Sequence, residues 1–250
     1  NANAIDALGT WTTGGGSVWL AGNVGSGAGY DLILGNGAAQ ALNVGAGSIT
    51  LIGDYQASSS TTTITSTGTL TIAPFGNTFT DGSNVARAFT WSGTVGTNYA
   101  GTGSINAITI NTIANLGGLV IGNANSSSNS AVTVSNAIGI SGPIAIYGAG
   151  VTLNANLSTS NTSTGNVAIV TTGLTGAGGI SLATGRGLTV TQSGNSTYSG
   201  AVSGTSATVT KLGDGTLTVS GNSSHTGATT ISAGILRLGA SSSGANSPIG

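Results

Sequence analysis

Cysteine is absent from this 250-residue chain, which excludes disulfides, thiolate metal sites and cysteine nucleophiles, and suits export through an oxidising compartment. Charge is scarce as well. Four cations (Arg87, Arg186, Lys211, Arg237) and five acids (Asp6, Asp31, Asp54, Asp81, Asp214) are scattered along the sequence, so no basic stripe exists for a nucleic-acid backbone. There is one lysine and no glutamate, the residues with which soluble helices usually cover their outer faces. Ser, Thr and Asn must form the solvent face instead, which favours strands. No apolar run reaches 18 residues, so no segment is expected to enter a membrane as a helix. The opening Asn1-Ala2-Asn3-Ala4 carries neither Met nor a basic-then-apolar leader and reads as a processed product or an excised segment.

What is present is glycine, 45 residues against three prolines, without a collagen period. Hydrophobic residues reach 38 % and mean hydropathy is +0.30, the reverse of a disordered chain. A short phrase recurs throughout: Gly or Asn, then apolar-polar-apolar, then Gly or Asn. It is clear at Asp31–Gly35, Gly47–Gly53, Gly68–Ile72, Asn106–Asn111, Gly118–Gly122, Ala131–Val134, Gly142–Ile146 and Gly150–Asn154. It continues at Gly165–Ile169, Gly179–Leu182, Gly187–Val190, Gly215–Val219 and Gly234–Leu238. Such alternation marks a half-buried strand. Sandwich, barrel and solenoid all accept this spacing. The brevity and uniformity of the strands, the lack of aromatics and the repetition along the whole length favour an all-β, right-handed parallel β-solenoid (β-helix) of short irregular coils. It should span residues 1–250 as a single solenoid, and a uniform coil of about 20 residues gives roughly a dozen coils.

Two stretches interrupt the grammar: residues 73–104, a candidate loop or small subdomain extruded from the solenoid, and the polar run Asn123–Ser130. Within the first, Phe79, Phe89 and Trp91 are the candidate partner or ligand contacts, set against plain local packing, and the same choice applies to Trp11, Trp19 and Tyr30. The alternating threonines of Thr61–Ile72 could order water as an ice-binding face would, but the pattern does not recur and reads as an ordinary strand. Catalytic chemistry finds little to use. His225 is the single histidine, and Asn222–Gly227 around it reads as a turn. Five isolated Asp residues poorly supply the carboxylate clusters of polysaccharide-cleaving β-helix enzymes or a calcium site. No Gly-rich phrase completes a dinucleotide spacing, and the Asn-x-Ser/Thr matches at Asn125, Asn156, Asn161, Asn195 and Asn222 are expected by chance in such a composition. The chain is therefore expected to be no enzyme and to carry no cofactor or metal.

Residues 198–239 contain Lys211-Leu-Gly-Asp-Gly-Thr-Leu-Thr-Val-Ser-Gly-Asn222, followed by Ser-Ser-His-Thr-Gly-Ala-Thr-Thr-Ile-Ser-Ala-Gly-Ile-Leu236. This closely resembles the autotransporter-associated β-strand repeat, with His225 where that family usually shows Tyr. Phrases such as Gly118–Asn125 and Gly142–Asn154 resemble more loosely the passenger regions of filamentous-haemagglutinin-like adhesins. The resemblance implies export, an extracellular or bacterial cell-surface location, and no catalytic residues. The expected role is structural or adhesive. Its partners would be further copies stacked head-to-tail through uncapped solenoid ends, or host, biofilm and glycan surfaces. The alternative is a carbohydrate-binding or carbohydrate-cleaving β-helix protein, using Asp81 and Trp91.

Overall fold

The computed structural model describes residues 4–23, 31–34, 38, 40–54, 56–58, 62–80, 86–91, 110–114, 116–124, 130–239 and 249–250. Their regular structure is β-strand throughout, without a helix, and the strands pair in parallel as a β-solenoid. The chain divides into two compact units, 1–131 and 132–250.

The first unit builds its coils from β1 (Ile5–Ala7), β2 (Gly9–Thr12) and β3 (Val18–Ala21), then β4 (Leu32–Leu34), β5 (Gln40–Gly45) and β6 (Ile49–Ile52). They continue with β7 (Gln56–Ser58), β8 (Thr62–Ser66) and β9 (Thr69–Ala73), then β10 (Phe89–Trp91), β11 (Ile110–Ala114) and β12 (Gly118–Ile121). Each third strand lies on the same face, as in the sheets β1-β4-β7 and β2-β5-β8-β11. The coil length varies. Val18 pairs with Ile49, 31 residues on, whereas Ile49 pairs with Leu70, 21 residues on. Leu70 then pairs with Leu119, 49 residues on, so the coil after β9 carries a long insertion. Of the predicted 73–104 interruption, residues 89–91 form strand β10, and residues 81–85 and 92–104 lie outside the described ones.

The second unit is more regular. Its strands are β13 (Val132–Val134), β14 (Ile138–Ile140), β15 (Ile144–Gly148), β16 (Val151–Leu153), β17 (Leu157–Thr159), β18 (Val167–Thr171), β19 (Leu174–Thr175) and β20 (Ile180–Ser181). There follow β21 (Gly187–Gln192), β22 (Ser196–Tyr198), β23 (Val202–Gly204), β24 (Thr208–Leu212), β25 (Thr216–Val219), β26 (Ser224–His225), β27 (Thr229–Ile231) and β28 (Ile235–Leu238). Paired residues lie between 19 (Val132 and Val151) and 23 (Ile144 and Val167) apart. Because the first unit's coils are longer, the chain makes fewer coils than a uniform 20-residue period predicts. β26 also corrects the reading of Asn222–Gly227 as a turn alone.

Stacking in register turns alternation along each strand into columns across coils. Two interior columns of the second unit run Ile144, Val167, Leu188, Val209, Thr229 and Ile146, Ile169, Val190, Lys211, Ile231. Through Val190 their members are essentially buried. Corners use polar side chains for the same stacking: Asn156, Asn166 and Asn195 each accept, through Oδ1, a hydrogen bond from the backbone N–H one coil on (Gly179 at 2.7 Å, Gly187 at 2.9 Å, Thr216 at 2.8 Å). Asp31 does this for Asp54 in the first unit, and Asp54 for Gly76. The Asn-rich composition thus satisfies corner amides that the strand ladders leave over. Glycine is demanded sterically where corners stack: Gly213 has φ +74°, and a Cβ on Gly215 would run into the Gly194 carbonyl one coil below.

Candidate functional site

Phe79, Phe89 and Trp91, the sequence's candidate contacts, are 0 %, 1 % and 5 % exposed. The two phenylalanine rings stack with centroids 5.2 Å apart, and the Phe79 amide donates to Ser130 Oγ at 2.8 Å. The three side chains are therefore packed inside. The Trp91 indole N–H is buried without a hydrogen-bond acceptor among the described residues. Tyr30, Asp81, Tyr99 and residues 125–129 of the polar run lie outside the described residues. Trp11 is half-buried and donates through Nε1 to the Leu8 carbonyl at 3.0 Å. Trp19 instead stands 68 % exposed on the outer face of β3, beside Thr50 and Thr71 of the following coils. Thr61–Ile72 is split by the corner at Thr67-Gly68, so its threonines belong to two faces and make no single flat array. Among the described residues no group of three or more His, Cys, Asp or Glu side chains converges to hold a metal.

The polar residues that do gather lie in the last coils of the second unit. A cavity of about 30 Å³, room for about one water, is lined by Tyr198, Lys211, Ser223, His225, Thr229 and apolar neighbours that include Leu236 and Ile249. Lys211 occupies an interior column yet stays hydrogen-bonded: Nζ donates to the carbonyls of Leu212 and Gly213, both at 2.7 Å. Desolvation lowers its pKa, and the Asp214 carboxylate opposes that shift. The repeat's Lys-Leu-Gly-Asp-Gly phrase thereby has a mechanical meaning, since the ammonium caps the carbonyls of the corner that Gly213 turns. The Tyr198 hydroxyl donates to the Gly178 carbonyl, and burial pushes its pKa up. His225 is 3 % exposed, with Nε2 2.9 Å from Thr229 Oγ1 and Nδ1 buried without a partner. Desolvation lowers its pKa, and this outweighs the opposing pull of the Val202 backbone carbonyl, which favours the protonated ring. These groups hold coils together.

Two outward features adjoin them. On β27 and β28 Ile231, Ile235 and Leu238 are 52 %, 55 % and 51 % exposed, although Ile231 and Leu238 continue interior columns. On the outer face of β22, β25 and β28, Thr197, Thr218 and Arg237 stack in register. They border a shallow polar groove of about 240 Å³ completed by Asn195, Ser196 and Thr216.

Comparison with known families places this region. Residues 209–238 match the passenger-associated-transport-repeat family. No curated protein and no solved structure matched the chain. The match covers β24 from Val209 to the end of β28, the coil whose corner Lys211 caps, and it fits the parallel solenoid in which that coil sits. The chain is accordingly one that carries an autotransporter passenger repeat, at residues 209–238, within a β-solenoid.

Proposed function

We propose that this chain is a structural and adhesive passenger segment, secreted or held at a bacterial cell surface, which associates with further copies head-to-tail through its solenoid ends and performs no catalysis. The single observation that carries the reading is the exposure of two interior residues in the coil that the passenger repeat forms. Its interior residues Ile231 and Leu238 point along the buried columns yet remain half in water, where another coil of the same grammar would cover them. With a formal net charge of −1, little electrostatic repulsion opposes such stacking. The repeat family supports the export half of the reading, because passenger segments act outside the cell.

Electron microscopy and sedimentation of the purified chain across a concentration series test this directly. Assemblies should lengthen with concentration in wild type, and Ile231→Lys with Leu238→Lys should abolish the lengthening while leaving the circular dichroism spectrum β-rich. Particles of constant size at every concentration would refute the self-association, leaving a monomeric surface segment.

A further inference from the structure

We propose that the groove on the outer face of β22, β25 and β28 is a binding subsite for an acidic saccharide, with the Arg237 guanidinium receiving the sugar carboxylate. The inference extends the adhesive reading above by assigning it a site and a ligand class.

The argument starts from what the chain does with its few cations. Lys211 is buried on two main-chain carbonyls, and Arg186 donates through Nη1 to the Ser163 carbonyl at 2.8 Å. Arg237 stands exposed on the outer face of β28 with no hydrogen bond or ion pair among the described residues. No carboxylate lines the groove it borders. A planar guanidinium fork held on a sheet and lacking an internal acid matches a planar carboxylate in two parallel hydrogen bonds.

The neighbours define the rest of the ligand. On another outer face two hydroxyls pair with each other: Thr152 and Thr175 lie 3.0 Å apart. In the groove Ser196 is likewise engaged, accepting from the Leu174 amide and donating to Gln192 Oε1. The hydroxyls of Thr197, Thr216 and Thr218 have no such partner among the described residues. Asn195 spends its Oδ1 on the Thr216 amide, which leaves its NH2 group to donate. Ile235 follows Thr216 in register and adds an exposed aliphatic surface two residues from Arg237. Convergent hydroxyls, one amide donor, one aliphatic surface and one cation suit a sugar ring, with its hydroxyls, C–H face and acid group. The volume, about 240 Å³, suits one residue of a longer chain, so affinity per site should be weak and multiplied by any repetition of sites.

The test titrates trigalacturonic acid into the whole chain, observed by NMR chemical-shift changes and calorimetry, with neutral maltotriose as the comparison. Binding of the uronate in the millimolar range, weakened at least about tenfold by Arg237→Gln and severalfold by Thr218→Val, is the expected result. It should also weaken in 0.5 M salt, by roughly the screening of one exposed ion pair. Shifts should centre on residues 195–197, 216–218 and 237, and Trp19→Ala should change nothing. Equal binding of maltotriose, unchanged affinity in Arg237→Gln, loss of binding in Trp19→Ala, or no binding at all overturns the proposal. Each of these outcomes with concentration-dependent assembly intact overturns the groove alone and leaves the self-association standing.

Discussion

Within the second unit, the coils from Val132 to Gln192 and those from Ser196 to Leu238 share one grammar and differ in what they place inside. In the earlier coils the interior columns hold Ile144, Val167 and Leu188 beside Ile146, Ile169 and Val190, all buried. In the later ones the same columns hold Val209 and Thr229 beside Lys211 and Ile231, the last half exposed. The two columns of the earlier coils are held by apolar burial, although Thr159, Thr171 and Gln192 are also buried there and hydrogen-bonded to main-chain carbonyls. The later ones, which carry the passenger repeat, lean on hydrogen bonds from a buried ammonium, a buried imidazole and buried hydroxyls. A solenoid whose stability is a sum of coil and interface terms can therefore be firm in one stretch and adaptable in the next.

That contrast can be broken by substitution. Removing apolar bulk from the firm stretch has the largest expected effect: Ile169→Ala should cost about 2 to 5 kcal/mol, read as a lower urea midpoint. Lys211→Met keeps length and loses the ammonium, orphaning the Leu212 and Gly213 carbonyls. The expected loss is about 1 to 3 kcal/mol, reduced by the desolvation cost that no longer applies. A cost above that of Ile169→Ala would reverse the ranking of the two stretches.

His225 supplies a smaller, pH-dependent term. Its folded pKa is held below the unfolded value, so the unfolded chain binds the proton more readily and stability rises with pH. The contribution is complete above about pH 6.5 and is lost as pH falls toward the folded pKa. Tyr198 and Lys211 line the same cavity, and neither is an anion at those pH values that could stabilise the imidazolium. The melting temperature should drop between pH 7.5 and 5.5 in wild type and stay flatter in His225→Tyr. Equal slopes in the two proteins would remove His225 from the account. The smallest effect belongs to Ile231→Ala, about 1 kcal/mol or less, since half of that side chain is already in water. Its influence should appear in assembly and hardly at all in melting.

Much of this architecture was legible in the sequence, for a local reason. Gly-bounded phrases such as Gly118–Gly122 and Gly187–Val190 became β12 and β21 because alternation and turn glycines act within a few residues. Strands such as β22 (Ser196–Tyr198) and β26 (Ser224–His225) were not legible, because their pairing is fixed about 20 residues away by the coil below. The candidate site fared similarly. Aromatic content marked Phe79, Phe89 and Trp91, but burial is a tertiary property, and all three went inside. Arg237 drew no notice as one of four dispersed cations. What singles it out is register, which places it above Thr218 and Thr197, and no local motif encodes that. Counting from the repeat's Thr-Leu-Thr strand to its closing Gly-Ile-Leu-Arg strand could have found the column.

The absence of cysteine gives the most direct test of the claim that the passenger-repeat coils continue the parallel stack in this register. Thr189 pairs with Thr210, and Thr210 with Thr230, on the outer face of β21, β24 and β27. Stacked neighbours one coil apart lie within disulfide reach, about 5 Å, while residues two coils apart lie near 10 Å and beyond it. Under mild oxidation Thr189→Cys with Thr210→Cys, and Thr210→Cys with Thr230→Cys, should cross-link within one molecule, and Thr189→Cys with Thr230→Cys should not. Cross-linking of the outer pair, with neither adjacent pair reacting, would contradict the stack on which the Ile231 and Leu238 columns and the Arg237 groove both depend.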